Sequence, residues 1–205
     1  MASNVWSEMT LNRDDTREQK RMAVLRTGAR LFNEHGFDRT SLDDIASELN
    51  VSKRTLYYYV KNKDDILFEC NRLAFEFMEE TMVTSQNNDL SPLERIAMVM
   101  RSYMDLLSNE FGACLALSKD NILSEESRKT LRNGRRKLDR VVRELIEQGV
   151  ADGTIAPCEP KLATAALFGA FNWVPQWQTN GNRETYSEIA NGFLDIFLDG
   201  LRTRE

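Results

Sequence analysis

Thr40-Ser41-Leu42-Asp43-Asp44-Ile45-Ala46-Ser47-Glu48-Leu49-Asn50-Val51-Ser52-Lys53-Arg54-Thr55-Leu56-Tyr57-Tyr58-Tyr59-Val60-Lys61-Asn62-Lys63 decides the reading of this chain. Leu42, Ile45, Ala46 and Leu49 recur at helical spacing. Ser41, followed three residues later by Asp44, makes a capping box with aspartate in place of the usual glutamate, so the spacing predicts a helix over about 41–48. Asn50 supplies a turn residue in the left-handed region, which Asn tolerates better than most residues with a side chain. Ser52 caps a second helix over about 52–59, held inward by Leu56 and Val60, with its other positions facing out. Two short helices around a tight turn, the second rich in outward Lys, Arg, Thr and Tyr, have the size and chemistry to enter the major groove of DNA.

The charge distribution agrees with that reading although the whole chain is acidic, at −5. Residues 1–63 carry 11 Lys and Arg against 9 Asp and Glu, while the remainder carries 16 against 23. Phosphate contact depends on the local charge of the docking face rather than on the net charge of the chain, and residues 51–63 hold four basic side chains and no acidic one.

Working outward, the pattern is helical from end to end. Residues 1–15 are polar and aperiodic and read as a mobile arm. A first helix over about 16–35 places Met22, Leu25, Ala29 and Phe32 on one face and stops at Gly36, a C′ glycine. Further helices are predicted over about 63–83, 92–108, 111–118, 124–149, 159–174 and 183–202, with loops at 85–90 and 119–124. Ser91-Pro92-Leu93-Glu94 opens the fifth helix with proline at its first position, and Pro175 is expected to end or kink the eighth. The fold class is therefore all-α, with about nine helices and 205 residues. Cys70, Cys114 and Cys158 have no metal-ligand spacing and are read as reduced, packed thiols. An apolar leader and a run of about 18 apolar residues are both missing, so a cytoplasmic protein without a membrane segment is expected.

Residues 21–67 resemble the N-terminal domain of the tetracycline-repressor (TetR) family of transcriptional regulators. The resemblance rests on Leu31-Phe32-Asn33-Glu34-His35-Gly36-Phe37, Thr40-Ser41-Leu42-Asp43-Asp44-Ile45-Ala46, Val51-Ser52-Lys53-Arg54-Thr55-Leu56-Tyr57 and Lys61-Asn62-Lys63. Asn50 stands where the family usually has Gly, and Val60 where it usually has Phe. The resemblance implies a homodimer, with residues 1–63 as an arm and helix-turn-helix DNA-binding domain. Residues 64–205 would form a helical ligand-binding and dimerisation domain, and an effector would release the operator. The implied DNA-facing positions are Ser41, Ser52, Lys53, Arg54, Thr55, Tyr57, Tyr59 and Lys63. Their chemistry agrees: Arg and Lys pair with guanine edges, and hydroxyls suit phosphate oxygens.

In the remainder, Leu162, Ala165, Ala166, Gly169, Ala170 and Trp173 of the eighth helix let another helix approach closely. Ile189, Phe193, Ile196, Phe197 and Leu201 of the ninth form an apolar stripe. These two helices either build a four-helix dimer interface or an intrachain core. Residues 168–177, Phe168-Gly169-Ala170-Phe171-Asn172-Trp173-Val174-Pro175-Gln176-Trp177, resemble a stretch in family members that respond to acyl-CoA thioesters. Trp173 and Trp177 either wall a pocket mouth or pack at the dimer seam. Met78, Met82, Met98, Met100 and Met104, with Tyr103, Leu107, Phe111 and Leu115, either line a tunnel for an apolar group or form ordinary core. The seventh helix carries Arg128, Lys129, Arg132, Arg135, Arg136, Lys137, Arg140 and Arg143, either a solvated face or a source of phosphate ligands for coenzyme A, with Arg132 and Arg135 the candidates. The candidate ligand residues are thus Met100, Tyr103, Met104, Leu107, Phe111, Arg132, Arg135, Phe168, Trp173 and Trp177. A non-CoA hydrophobic effector, or constitutive binding without ligand, are the alternatives. The lone His35 lies far in sequence from every cysteine, and no catalytic motif is visible. No catalytic residue, cofactor or metal is expected.

Overall fold

The computed structural model describes residues 13–86, 89–117, 124–178 and 183–200. Most of the predicted arm, parts of three loops and Leu201 of the predicted apolar stripe lie outside the described residues. Every regular element among the described residues is helical: α1 (Arg13–His35), α2 (Leu42–Glu48), α3 (Lys53–Leu56), α4 (Lys63–Thr84), α5 (Pro92–Leu107), α6 (Glu110–Leu117), α7 (Glu125–Asp152), α8 (Pro160–Trp177) and α9 (Tyr186–Asp199). None is long and apolar enough to cross a membrane.

Local chemistry sets most boundaries. Gly36 (φ +86°) ends α1, and its amide donates to Phe32 O. Serine or threonine caps open α2, α3, α5, α7 and α9, with reciprocal capping boxes at Ser41/Asp44, Ser91/Glu94 and Thr185/Glu188. Asn50 takes φ +54°, the left-handed turn expected of it. Several boundaries differ from the sequence reading, α9 among them, which spans Tyr186–Asp199 rather than about 183–202. α1 starts at Arg13, inside the predicted arm. α3 leaves α-helical form after Leu56, because the amides of Tyr58 and Tyr59 bond three residues back, to Thr55 and Leu56, and tighten the turn. α7 runs through Gly149 to Asp152 and ends at left-handed Gly153. The break falls at Ala151-Asp152-Gly153, while a Cβ at Gly149 would lie 2.5 Å from Ile155 Cδ1, so the glycine lets the following loop fold back onto the helix. α8 continues through Pro175 to Trp177, the chain beyond being held by Gln178 N donating to Val174 O.

Two apolar cores result. Val24, Leu25, Ala29 and Phe32 of α1 meet Leu42 and Ile45 of α2 and Leu56 and Val60 around α3 in a head core. α5 is the axis of a body core, with α4, α7, α8 and α9 packed around it. α4 belongs to both: Ile66, Leu67 and Cys70 fill the head core, whereas Ala74, Met78 and Met82 fill the body core. The head core also takes Cys114 from α6 and Leu131 from α7. α4 approaches α1 closely because position 28 is glycine, where a Cβ would meet Ile66 Cγ2 at 2.7 Å. Cys70 and Cys114 are the packed thiols expected, but Cys158 is exposed, since it lies in the linker between α7 and α8 rather than on a helix face.

Candidate nucleic-acid interface and ligand cavity

The second helix of the helix-turn-helix is built outward, as its sequence requires. Leu56 is fully buried and Val60 nearly so, which forces Lys53, Arg54, Tyr57 and Tyr58 to the surface. Ser52 caps α3 by accepting from Thr55 N at 3.2 Å, and its hydroxyl also bonds Thr55 Oγ1 at 2.8 Å. Ser41, Lys53, Tyr57 and Lys63 line one open cleft together with Arg39 and Thr40. Arg54 is exposed on the same short helix and makes no hydrogen bond or ion pair among the described residues.

The other predicted positions are more constrained. Lys53 Nζ donates to Asp43 Oδ2 at 2.7 Å, and that carboxylate raises the ammonium's affinity for its proton. A phosphate approaching Lys53 therefore meets Asp43 as a competitor. Lys63 Nζ donates to Phe37 O at 2.8 Å and Thr40 O at 2.7 Å and stands 4.5 Å from the Phe37 ring centre. One of its three N–H groups remains to point outward. Ser41 bonds Asp44 through both its hydroxyl and its amide, which holds the Asp44 carboxyl below the usual range. Tyr59 is half-buried, and desolvation pushes its hydroxyl pKa up. Tyr58, which the sequence reading left out, is more exposed than Tyr59, at 63%.

In the body, α4, α5, α6, α7 and α8 enclose a cavity of about 340 Å³. Phe75, Leu115, Ala116, Leu138 and Phe168 make its apolar wall, and Tyr103, Arg135, Asp139 and Asn172 its polar side. The Tyr103 hydroxyl donates to Asn172 Oδ1, and the ring stands edge-on to Phe168 with centroids 5.3 Å apart. Burial raises the Tyr103 pKa far above that of a free phenol, so the hydroxyl stays neutral. Arg135 Nη2 donates to Leu115 O at 3.1 Å, and Asp139 is paired with Arg143. Phe75 reaches the wall because Gly134 faces it, where a Cβ would lie 2.6 Å from the ring.

Of the predicted ligand residues, Tyr103, Arg135 and Phe168 line this cavity. Met100, Met104 and Leu107 pack into the body core instead, because α5 is covered on several sides and only its Tyr103 edge reaches the space. Phe111 packs between the two cores, with Arg26 over its ring at 5.8 Å. Arg132 is exposed on α7, in a stripe with Lys129, Arg136 and Arg140. Trp173 and Trp177, 63% and 39% exposed, lie on the outer face of α8, away from the cavity. Phe75 and Asn172 were missed by the sequence reading, since only the packing of α4 and α8 brings them together.

Residues 24–70 match the family described as "Bacterial regulatory proteins, tetR family", and residues 89–201 match "Tetracyclin repressor-like, C-terminal domain". The fatty acid metabolism regulator protein of Bacillus subtilis is 23% identical over 192 residues, covering 90% of this chain and 97% of that protein. Among solved structures, the TetR-family regulator PfmR of Thermus thermophilus superposes with a TM-score of 0.79 at 25% identity, over 88% of this chain and 99% of that one. AibR, crystallised with isovaleryl coenzyme A and operator DNA, superposes with a TM-score of 0.77 at 26% identity, over 87% and 98%. The exposed basic α3, the helical body with its cavity and both domain matches lead to one conclusion: the chain belongs to the TetR family of DNA-binding transcriptional regulators.

Proposed function

We propose that this protein is a cytoplasmic repressor that binds a palindromic operator as a homodimer and is released by an effector with an apolar group, of the acyl-CoA type. It acts by binding and not by catalysis. The carrying observation is the cavity: one apolar wall faces a polar side made of Arg135, Asn172 and the Tyr103 hydroxyl. Its volume of about 340 Å³ is at the lower end of the roughly 300–1,000 Å³ of ligand sites. It suits an acyl group, with a nucleotide left outside along the exposed Lys129, Arg132, Arg136 and Arg140 of α7. The coenzyme A bound to AibR, a structural neighbour, supports that class of ligand. Phe75 of α4 and the head core share one helix, so an occupant that displaces Phe75 also shifts the base of the DNA-binding head. The occupant must favour the released conformation over the DNA-bound one for this to act as a switch.

The test is release of a fluorescent operator duplex, selected from a randomised library by the wild-type protein, by short- and medium-chain acyl-CoAs, free coenzyme A and free fatty acids. Acyl-CoA is expected to release DNA, and Arg132→Ala with Arg135→Ala to weaken that release about tenfold or more, as loss of charge-assisted phosphate bonds does. Release by fatty acid with no competition from coenzyme A would reassign the effector to a non-CoA compound. Release by none of them would leave a constitutive binder.

Dimerisation is proposed through α8 and α9. Leu162, Ala165, Ala166, Gly169 and Trp173 form one exposed, uncharged stripe on α8, and Ile196 and Phe197 are exposed on α9. Exposed apolar continuity of this kind is uncommon on a monomer. Ile189 and Phe193 face the body core instead, so the proposed seam on α9 lies near its C-terminal half. Trp173→Glu buries a charge in that seam and is expected to yield a monomer in sedimentation velocity. A Trp173→Glu dimer of wild-type stability would place the seam elsewhere.

A further inference from the structure

Arg17 lies in the second turn of α1, far in sequence from the recognition helix, yet its Cζ stands 5.1 Å from the centre of the Tyr58 ring. Tyr58 in turn stands edge-on to Tyr59, with centroids 5.1 Å apart and planes at 85°. Tyr59 is half-buried against the head core, so the stack Arg17–Tyr58–Tyr59 is anchored from below and open above. Both Arg17 and Tyr58 are exposed. Arg17 has no ion pair among the described residues, whereas its neighbour Arg21 is held by Glu69 at 2.9 Å. A guanidinium lying over an aromatic ring keeps its N–H donors directed outward around its edge. Tyr58 directly follows Tyr57 of the DNA-facing cleft, which puts the stack at the C-terminal end of the recognition face.

We propose that Arg17 and Tyr58 form a phosphate clamp at the outer edge of each half-site, with Arg17 bonding a backbone phosphate and Tyr58 bracing it. The clamp rests on the recognition face described above and adds α1 to it. Ring stacking fixes the guanidinium, so less side-chain freedom is lost when phosphate arrives. Because it touches the DNA backbone alone, the clamp strengthens binding to every sequence and selects none.

Full-length protein is titrated onto the duplex selected by the wild type, and onto a scrambled duplex, across a series of salt concentrations. Arg17→Ala is expected to weaken both by a similar factor, about tenfold, and to flatten the log–log salt slope by about 1.8 per dimer, since each phosphate contact contributes about 0.9. Arg17→Lys is expected to recover most of the slope but not the full affinity, because an ammonium lacks the planar fork. Tyr58→Leu is expected to weaken both duplexes several-fold while discrimination stays at the wild-type ratio. Wild-type affinity and slope in Arg17→Ala overturn the clamp, as does an affinity loss with unchanged slope. A wild-type protein that selects no duplex overturns the DNA-reading face itself and the clamp with it.

Discussion

Replacing Arg54 with alanine is expected to cut operator discrimination sharply while leaving the fold intact. Arg54 stands exposed in the first turn of α3 and makes no bond among the described residues, so its removal exposes no buried partner. Substitutions of that kind usually change stability by less than about 0.5 kcal/mol. A bidentate arginine–guanine contact contributes roughly 1–3 kcal/mol of discrimination, and the proposed two-fold dimer would make it twice, so the expected loss is about 2–6 kcal/mol. Non-specific affinity, carried by phosphate contacts, should fall much less. Fluorescence anisotropy with selected and scrambled duplexes measures both. A ratio of selected to scrambled affinity reduced by about thirtyfold or more, at an unchanged melting temperature, is the expected outcome. Full discrimination retained would show that α3 does not read bases through this residue. Lys53 makes a useful contrast, since its bond to Asp43 must be exchanged for one to DNA and part of its gain is offset.

Replacing Gly112 with alanine is expected to destabilise the fold strongly. A Cβ there would lie 2.0 Å from Leu106 O and 2.4 Å from Leu106 C. Those atoms belong to the last turn of α5, where Ser108 N donates to Met104 O at 3.0 Å and Asn109 N to Leu106 O at 3.1 Å. The clash cannot be relieved by a side-chain rotation, only by opening the corner between α5 and α6. That corner is further tied by Asn109 Oδ1, which accepts from the amides of Phe111 and Gly112 at 3.0 Å each. Overpacking of this type costs typically about 1–3 kcal/mol, and a backbone clash belongs at the upper end. For a chain of this length about 3 kcal/mol corresponds to a fall of about 6–12 °C in melting temperature. Thermal unfolding followed by circular dichroism checks it, and a midpoint within a degree of wild type would mean that the corner relaxes freely. The same corner delivers Cys114 to the head core and Leu115 to the cavity wall, so its opening should also weaken the response to effector.

How much of this could be read before folding differs by region. Around α2 and α3 the determinants are local. Ser41, Asp44, Asn50 and Ser52 act on backbone groups within a few residues, and Leu56 and Val60 fix one inward face, so sequence alone yielded the caps, the turn and the outward Lys53, Arg54 and Tyr57. The same locality made the helices of the described residues and the stop at Gly36 legible. Where an element ends under the influence of distant neighbours, the reading slipped. The break at Ala151-Asp152-Gly153 was legible, but not that Gly149 packs against Ile155. Pro175 was expected to end or kink α8, and the helix does not end there but continues to Trp177. The cavity was read least well. Met100, Met104 and Leu107 have the same apolar character as Phe75 and Leu138, and periodicity cannot distinguish a side chain facing a void from one facing a neighbour.

The amino-acid order by itself determined the all-helical class, the helix-turn-helix and the outward direction of Lys53, Arg54 and Tyr57, because capping, turn conformation and helical spacing act over one or two turns. Tertiary structure decided that Lys63 is held by Phe37 O and Thr40 O, that Asp43 engages Lys53, that Arg17 lies over Tyr58 and that Asn172 meets Tyr103. Each of these is a contact between segments far apart in the chain or set by a turn of the backbone. Its geometry depends on how whole helices pack, which spacing along the sequence does not encode.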